Sequence, residues 1–185
     1  MSTPHRQLKL ATPDDLPTHQ FTTYRERKAV GDAHEKRVAD ELTRRGWTVA
    51  PCGLGNLPTE IADAFTITNS PRRWEPDLIA ARGPDVIYID AKGSMDSGSK
   101  GRRFVNSDCV MAQIGLHALG YLPIYYVFDD LEVSTPYEVY NRGKFEEHSP
   151  VGSGGAYYAI SILHCRNFDN IFGKPKAMPV LRAVA

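Results

Sequence analysis

Apolar residues recur near helical spacing over residues 24–45, where Val30, Val38, Ala39 and Leu42 alternate with charged positions. That spacing predicts an amphipathic helix, with Gly46 as its stop signal. Trp47-Thr48-Val49-Ala50 then reads as a short strand ended by Pro51. Residues 52–64 contain Gly and Pro and read as a loop, and Phe65-Thr66-Ile67-Thr68 as a further short strand. Two β-prone runs, Asp77–Ala81 and Val86–Ile89, flank Arg82-Gly83-Pro84-Asp85, which predicts a β-hairpin. Residues 93–106 are Gly-, Ser- and Arg-rich and read as a mobile loop. Ser107 or Asp108 can cap a helix running to Leu119, with Gly120 ending it. Pro123–Phe128 is an apolar run suited to a strand buried on both faces, and Tyr157–Ile162 suits an edge strand. The order helix, strand, hairpin, helix, strand implies an α/β fold with a mixed central sheet flanked by helices.

The hairpin fixes a register. With the turn at Gly83-Pro84, Ala81 faces Val86, and counting outward sets Asp77 opposite Asp90 and Glu75 opposite Lys92. Side chains alternate between faces, so Asp77, Asp90 and Lys92 share one face while Ala91 points to the other. Carboxylates opposed across two strands have β-carbons ~5 Å apart and repel. A divalent cation between them would relieve the repulsion, and oxygen donors suit Mg²⁺ or Mn²⁺. Lys92 would then sit beside the cation, where it can orient a water or stabilise charge growing on a phosphate. A further carboxylate lies on the predicted first helix. Glu35 precedes Val38, Ala39 and Leu42 by three, four and seven positions and so falls on the apolar stripe. A carboxylate placed there calls for a partner.

Composition narrows the classes. The 185 residues, 42% hydrophobic and 24% charged, suit one domain with a substantial core. Residues 1–22 read as a loose arm ahead of a single domain over 23–185. No run approaches the roughly 18 apolar residues of a membrane span, and no secretory leader pattern is visible, so a cytoplasmic protein without membrane contact is expected. Cys52, Cys109 and Cys165 are odd in number and far apart, which argues against disulfides and a cysteine-built zinc site. Lys and Arg total 22, as do Asp and Glu, so any nucleic-acid affinity must come from a local face. Basic residues crowd positions 25–45, and Lys100, Arg102 and Arg103 form a second group, placed to meet phosphates beside the hairpin. Neither a phosphate-binding P-loop nor a G-x-S-x-G elbow is present.

Pro76-Asp77 followed thirteen residues later by Asp90-Ala91-Lys92 resembles the PD-(D/E)xK nuclease superfamily. The helix Gly31-x-x-x-Glu35-x-x-x-Ala39-x-x-Leu42-x-x-x-Gly46-Trp47 resembles the first helix of that fold, as in archaeal-type Holliday junction resolvases. The resemblance covers about residues 28 to 128. It implies a restriction-endonuclease-like αβββαβ core and metal-dependent hydrolysis of DNA, by a Mg²⁺- or Mn²⁺-activated water, and it allows a homodimer. It also implies that Asp77, Asp90 and the Ala91 carbonyl hold the metal, that Lys92 works on the nucleophilic water, and that Glu35 supports the metal or its water shell. Residues 52–73 depart from the pattern as an insertion ahead of the Pro-Asp strand. Gln113 and His117, at i and i+4, are candidates for the rim of the site. Some exonucleases of the superfamily carry Gln-x-x-x-Tyr there, and histidine in place of tyrosine favours an endonuclease. The competing class is a nucleic-acid-binding or assembly module of the same fold without turnover.

Overall fold

The computed structural model describes residues 24–93, 101–120, 122–147 and 155–176, with side chains of the first helix from Lys28 onward. The expected arm at 1–22, the loop at 94–100 and Lys100 lie outside the described residues. Helix α1 (Tyr24–Arg44) ends as the glycine signal predicts. Gly46 takes φ +84°, its N–H donates to Thr43 O at 2.9 Å, and Trp47 N–H reaches back to Leu42 O at 3.2 Å. This pair of bonds is a Schellman motif, and glycine carries the left-handed residue without a Cβ clash. The motif turns the chain into β1 (Thr48–Pro51) with Trp47 and Leu42 in the same core cluster.

Strands β2 (Leu78–Arg82) and β3 (Asp85–Lys92) form the expected hairpin. Ala81 pairs with Val86 and Leu78 with Ile89, around a Gly83-Pro84 turn in which Gly83 has φ +60°. β1 pairs antiparallel with β2, and β3 pairs parallel with β5 (Ile124–Phe128), so the sheet is mixed. Adding β6 (Glu132–Ser134) and β9 (Arg166–Asn167) gives a six-stranded sheet in the order β1-β2-β3-β5-β6-β9. With α3 (Ser107–Gly120), the chain order α1, β1, β2, β3, α3, β5 is the expected αβββαβ core.

Both faces of β5 are covered, as its unbroken apolar run requires. Val127 joins Val38 and Leu42 of α1, Ile87 and Ile89 of β3, and Phe168 and Phe172 of α5 (Phe168–Phe172) on one face. Tyr126 and Phe128 join Cys109 and Val110 of α3 on the other, with Val139 of α4 (Pro136–Arg142). Leu42 is fully buried, so Leu42→Ala should cost about 2–5 kcal/mol of stability. At roughly 2–4 °C per kcal/mol for a chain of this size, calorimetry should show a fall of on the order of 10 °C. A fall below about 2 °C would mean that α1 is not anchored through this residue.

Four expectations are corrected. Phe65–Thr68 is not a strand; with part of the expected loop it belongs to α2 (Thr59–Ile67), where Glu60, Ala62 and Ala64 favour helix and no sheet edge adjoins the β-branched residues. The segment expected to be a loop contributes β4 (Arg102–Asn106). The cap of α3 is Asn106, whose Oδ1 accepts from Asp108 N at 2.9 Å and Cys109 N at 3.3 Å, rather than Ser107 or Asp108. Finally, β8 (Tyr157–Ser161) is not at an edge. It lies between β4 and β7 (Lys144–Glu146) in a second, antiparallel sheet. Among the described residues no helix is long and apolar enough to cross a membrane.

Candidate active site

The opposed strands deliver the carboxylates as the register requires. Asp77 lies one residue before β2, and its Oδ2 accepts from Ala91 N–H on β3 at 2.8 Å. Its own carbonyl accepts from Cys52 N at 2.8 Å and Gly53 N at 3.2 Å, which ties β1's exit to the motif. Gly53 approaches closely there: a Cβ would stand 3.2 Å from Asp77 Cα, 3.3 Å from Pro76 O and 3.6 Å from Asp77 Oδ1, so a larger residue would push the Asp77 backbone by a few tenths of an ångström. Asp90 is buried. Its Oδ1 receives Lys92 Nζ at 2.7 Å, and its Oδ2 accepts from Gln113 Nε2 and from the Cys109 thiol at 3.8 Å.

The electrostatics follow from crowding. Burial first, and then the Asp90 carboxylate, push the Asp77 carboxyl up to about 8, against the pull of Lys92 and the Ala91 N–H. Burial works against the Lys92 charge, but Asp90, helped by Cys109 and then Asp77, outweighs it and holds the ammonium above the ordinary lysine range. Lys92 is therefore a fixed cation in this site. Glu35, half-buried on α1, is also raised, by burial and then by Asp32, with Asp90 adding to the effect and Lys28 opposing it. The Glu35 charge in turn helps to raise Asp77. Among the described residues no three carboxylate, imidazole or thiol groups stand together as a complete metal cage. The convergent donors are Asp77 and Asp90, while Glu35 on the neighbouring helix is linked to them only through weak charge effects. That set fits Mg²⁺, which dehydrates reluctantly and is commonly held by one or two carboxylates, water and substrate phosphate.

The structure brings Asp77, Asp90, Lys92 and Gln113 together and leaves others apart. Gln113 is fully buried. It spans from Asp90 Oδ2 to Trp74 O at 2.9 Å, which pins the end of the 52–73 insertion to the carboxylate. His117 turns away: its Nδ1 bonds Leu122 O at 2.7 Å and its ring meets Tyr137 edge-on at 5.6 Å. Glu75 does not face Lys92. Pro71–Trp74 forms a 3₁₀ turn that ends the extended backbone, and Glu75 pairs with Arg72.

The basic groups are largely neutralised. Arg102 pairs with Glu146 at 2.8 Å and keeps 42% of its side chain exposed. Arg103 pairs with Asp130 at 2.6 Å and Glu132 at 2.8 Å. On α1, Lys28–Asp32, Lys36–Asp40 and Arg44–Glu41 pair along the helix. Arg45 is buried against Glu41 and Asp169 and stacks on Phe168 at 4.7 Å. A cleft of about 470 Å³ lined by Trp47, Arg82, Tyr125 and Phe172 lies around the hairpin turn, at the far end of β2 and β3 from Asp77 and Lys92. It contains no opposed carboxylates.

Two solved structures are similar to this chain. One is Hjc, a Holliday junction resolvase from the archaeal hyperthermophile Archaeoglobus fulgidus, at 12% identity, covering 78% of this chain and 96% of that one, with a TM-score of 0.49. The other is a nuclease from a fusselovirus, at 14% identity, covering 77% of this chain and 90% of that one, with a TM-score of 0.45. No protein-family model matches the chain, and no curated protein matches it.

Cys109 and Tyr126 were missed by the sequence reading. Cys109 Sγ lies 3.4 Å from Lys92 Nζ, and the Tyr126 ring centre lies 5.4 Å from the same nitrogen. The only sequence signal for Cys109 is its place four residues before Gln113, on the same face of α3.

Proposed function

We propose that this protein is a metal-dependent nuclease that hydrolyses phosphodiester bonds in DNA. The observation that carries the reading is the juxtaposition of Asp77 and Asp90 at the hairpin end with Lys92 ion-paired to Asp90 at 2.7 Å. A site that served packing alone would gain nothing from two crowded carboxylates, one of them pushed well above its usual range. Asp77 and Asp90 would hold Mg²⁺ or Mn²⁺, with the Ala91 carbonyl as a further donor and Glu35 acting on the water shell. Such an ion, when bound, offsets phosphate charge and lowers the pKa of a coordinated water. Lys92 keeps its proton, so its part is to place a positive charge beside the water and the scissile phosphate, where negative charge builds. Gln113 fixes the Asp90 carboxylate and the insertion together. Arg102, the more exposed of the β4 arginines, is the proposed phosphate contact of that strand.

The expected mode is endonucleolytic, because His117 is spent on Leu122 O rather than turned toward Gln113's site. The decisive experiment incubates the protein with linear, circular, branched and single-stranded DNA in Mg²⁺, Mn²⁺ or EDTA. Cleavage is expected with either ion and not with EDTA, and cutting of closed circles identifies the endonuclease. DNA binding without cleavage under every condition would replace this reading with a non-catalytic binding module.

A further inference from the structure

We propose that Cys109 and Tyr126 are positioning residues that hold the Lys92 ammonium independently of its ion pair with Asp90. The inference rests on the nuclease reading for its consequence and on the geometry for its substance. Lys92 reaches the layer between the sheet and α3, where only 23% of its side chain remains exposed. An ammonium has three N–H donors. Among the described residues, one goes to Asp90 Oδ1 at 2.7 Å and a second to Cys109 Sγ at 3.4 Å. The third is left for water or a phosphate.

The two holding residues come from separate elements. Cys109 stands in the first turn of α3 and is 1% exposed. Its thiol accepts from Lys92 Nζ at 3.4 Å and donates to Asp90 Oδ2 at 3.8 Å. Tyr126 stands on β5, directly beside Asp90 in the parallel pairing. Its ring face lies 5.4 Å from Lys92 Nζ, a cation–π distance. Its hydroxyl is buried against the Cys109 thiol, so Tyr126 bears on Lys92 through its ring face and on Cys109 through its hydroxyl.

The physical need is clear. Asp90 is proposed to hold a divalent ion as well as Lys92, and a shared carboxylate cannot alone fix the ammonium. A sulfur acceptor and an aromatic face add restraint without adding a carboxylate that would compete for the ion. The restraint matters only in the step where Lys92 meets developing charge, so its loss should lower kcat and leave KM nearly unchanged.

The test is a double-mutant cycle. Cys109→Ala should lower kcat about tenfold, by loss of one hydrogen bond to a charged group, with KM within about twofold. Cys109→Ser, which keeps an acceptor and a donor, should recover most of the rate. Tyr126→Leu, which removes the ring face, should lower kcat with KM nearly unchanged. In a Lys92→Ala background, Cys109→Ala should cost nothing further. Parental kcat in Cys109→Ala, or an equal loss with and without Lys92, overturns the proposal. If the parent protein cleaves no DNA, the nuclease reading fails by itself. Urea unfolding of the same four metal-free proteins then decides the contact. Cys109→Ala should shift the unfolding equilibrium about tenfold more when Lys92 is present than when it is Ala, and an equal shift in both backgrounds rejects the restraint.

Discussion

Asp77→Asn is expected to raise the melting temperature of the metal-free protein at pH 8 and to abolish its response to Mg²⁺ and Mn²⁺. The folded protein binds the Asp77 proton more tightly than the unfolded chain, from the ordinary value of 3.8 to about 8. Between those values the folded state carries more protons, so stability falls as pH rises through that window. The carboxylate is thus a penalty, absent below the window and complete above it. Asparagine carries no charge, and its carbonyl can still accept the Ala91 N–H bond. The variant should match the parent near pH 4 and melt higher by on the order of 10 °C at pH 8. The parent should gain about 2.7 kcal/mol from an ion at a hundredfold its Kd, and Asp77→Asn should gain nothing. Asp90→Asn should also lose the ion response, but it strands the buried Lys92 charge and should melt lower than the parent. Both variants should lose cleavage. An undiminished ion-induced shift in either one would remove that residue from the donor set.

The opposite stability signs of the two Asp→Asn changes separate what the sequence could and could not convey. The hairpin was legible because Gly83-Pro84 leaves one sensible turn and the flanking apolar runs leave one register, from which the apposition of Asp77 and Asp90 follows. Glu35 drew attention because a carboxylate on the stripe of Val38 and Leu42 has few reasons to be there, and its part in the site remains a proposal. The rest depends on contacts far apart in sequence. Cys109 and Tyr126 reach Lys92 only because β3 and β5 pair in parallel and α3 packs on that face, and no local pattern fixes the parallel register. The second sheet was hidden for a related reason. Arg102 and Arg103 look like a solvated basic run until Glu146 and Glu132 arrive from later segments to pair with them. Glu75 failed in the other direction, since extending the strand ladder past Pro76 ignored the 3₁₀ turn that ends it.

The insertion at 52–73 gains meaning from its two anchor points. It leaves β1 with Cys52 and Gly53 bonded to the Asp77 carbonyl and returns at Trp74, whose carbonyl takes a Gln113 hydrogen bond. The insertion is therefore built onto the same residues that position the carboxylates. Replacing Gly53 by a larger residue should disturb Asp77 before it disturbs the sheet, because the added Cβ meets Asp77 and Pro76 backbone.

Lys92→Ala should cleave DNA on the order of 10²–10³ times more slowly than the parent, by analogy with loss of one preorganised donor to a developing negative charge. Binding to DNA should change little, because the charge that Lys92 meets is largest in the transition state. Lys92→Ala should also lose stability. Asp90 keeps only 7% of its side chain exposed, and Lys92 is its ion-pair partner. Breaking a buried pair by removing one member costs about 3–5 kcal/mol, so the metal-free variant should melt lower. A divalent ion would supply the missing positive charge, and the variant should gain more stability from Mg²⁺ than the parent does. Cleavage must therefore be compared under ion concentrations at which both proteins are folded, with circular dichroism as the control. Lys92→Arg restores charge but should not restore the rate. The planar guanidinium is broader than an ammonium and meets Cys109 and the Tyr126 ring, which lie 3.4 and 5.4 Å from the Lys92 nitrogen, in a different geometry. A folded Lys92→Ala protein that cleaves at the parental rate would take this lysine out of the mechanism. Slow cleavage together with an enlarged ion-induced shift would fix it as the cation that serves Asp90 at rest and the phosphate in turnover.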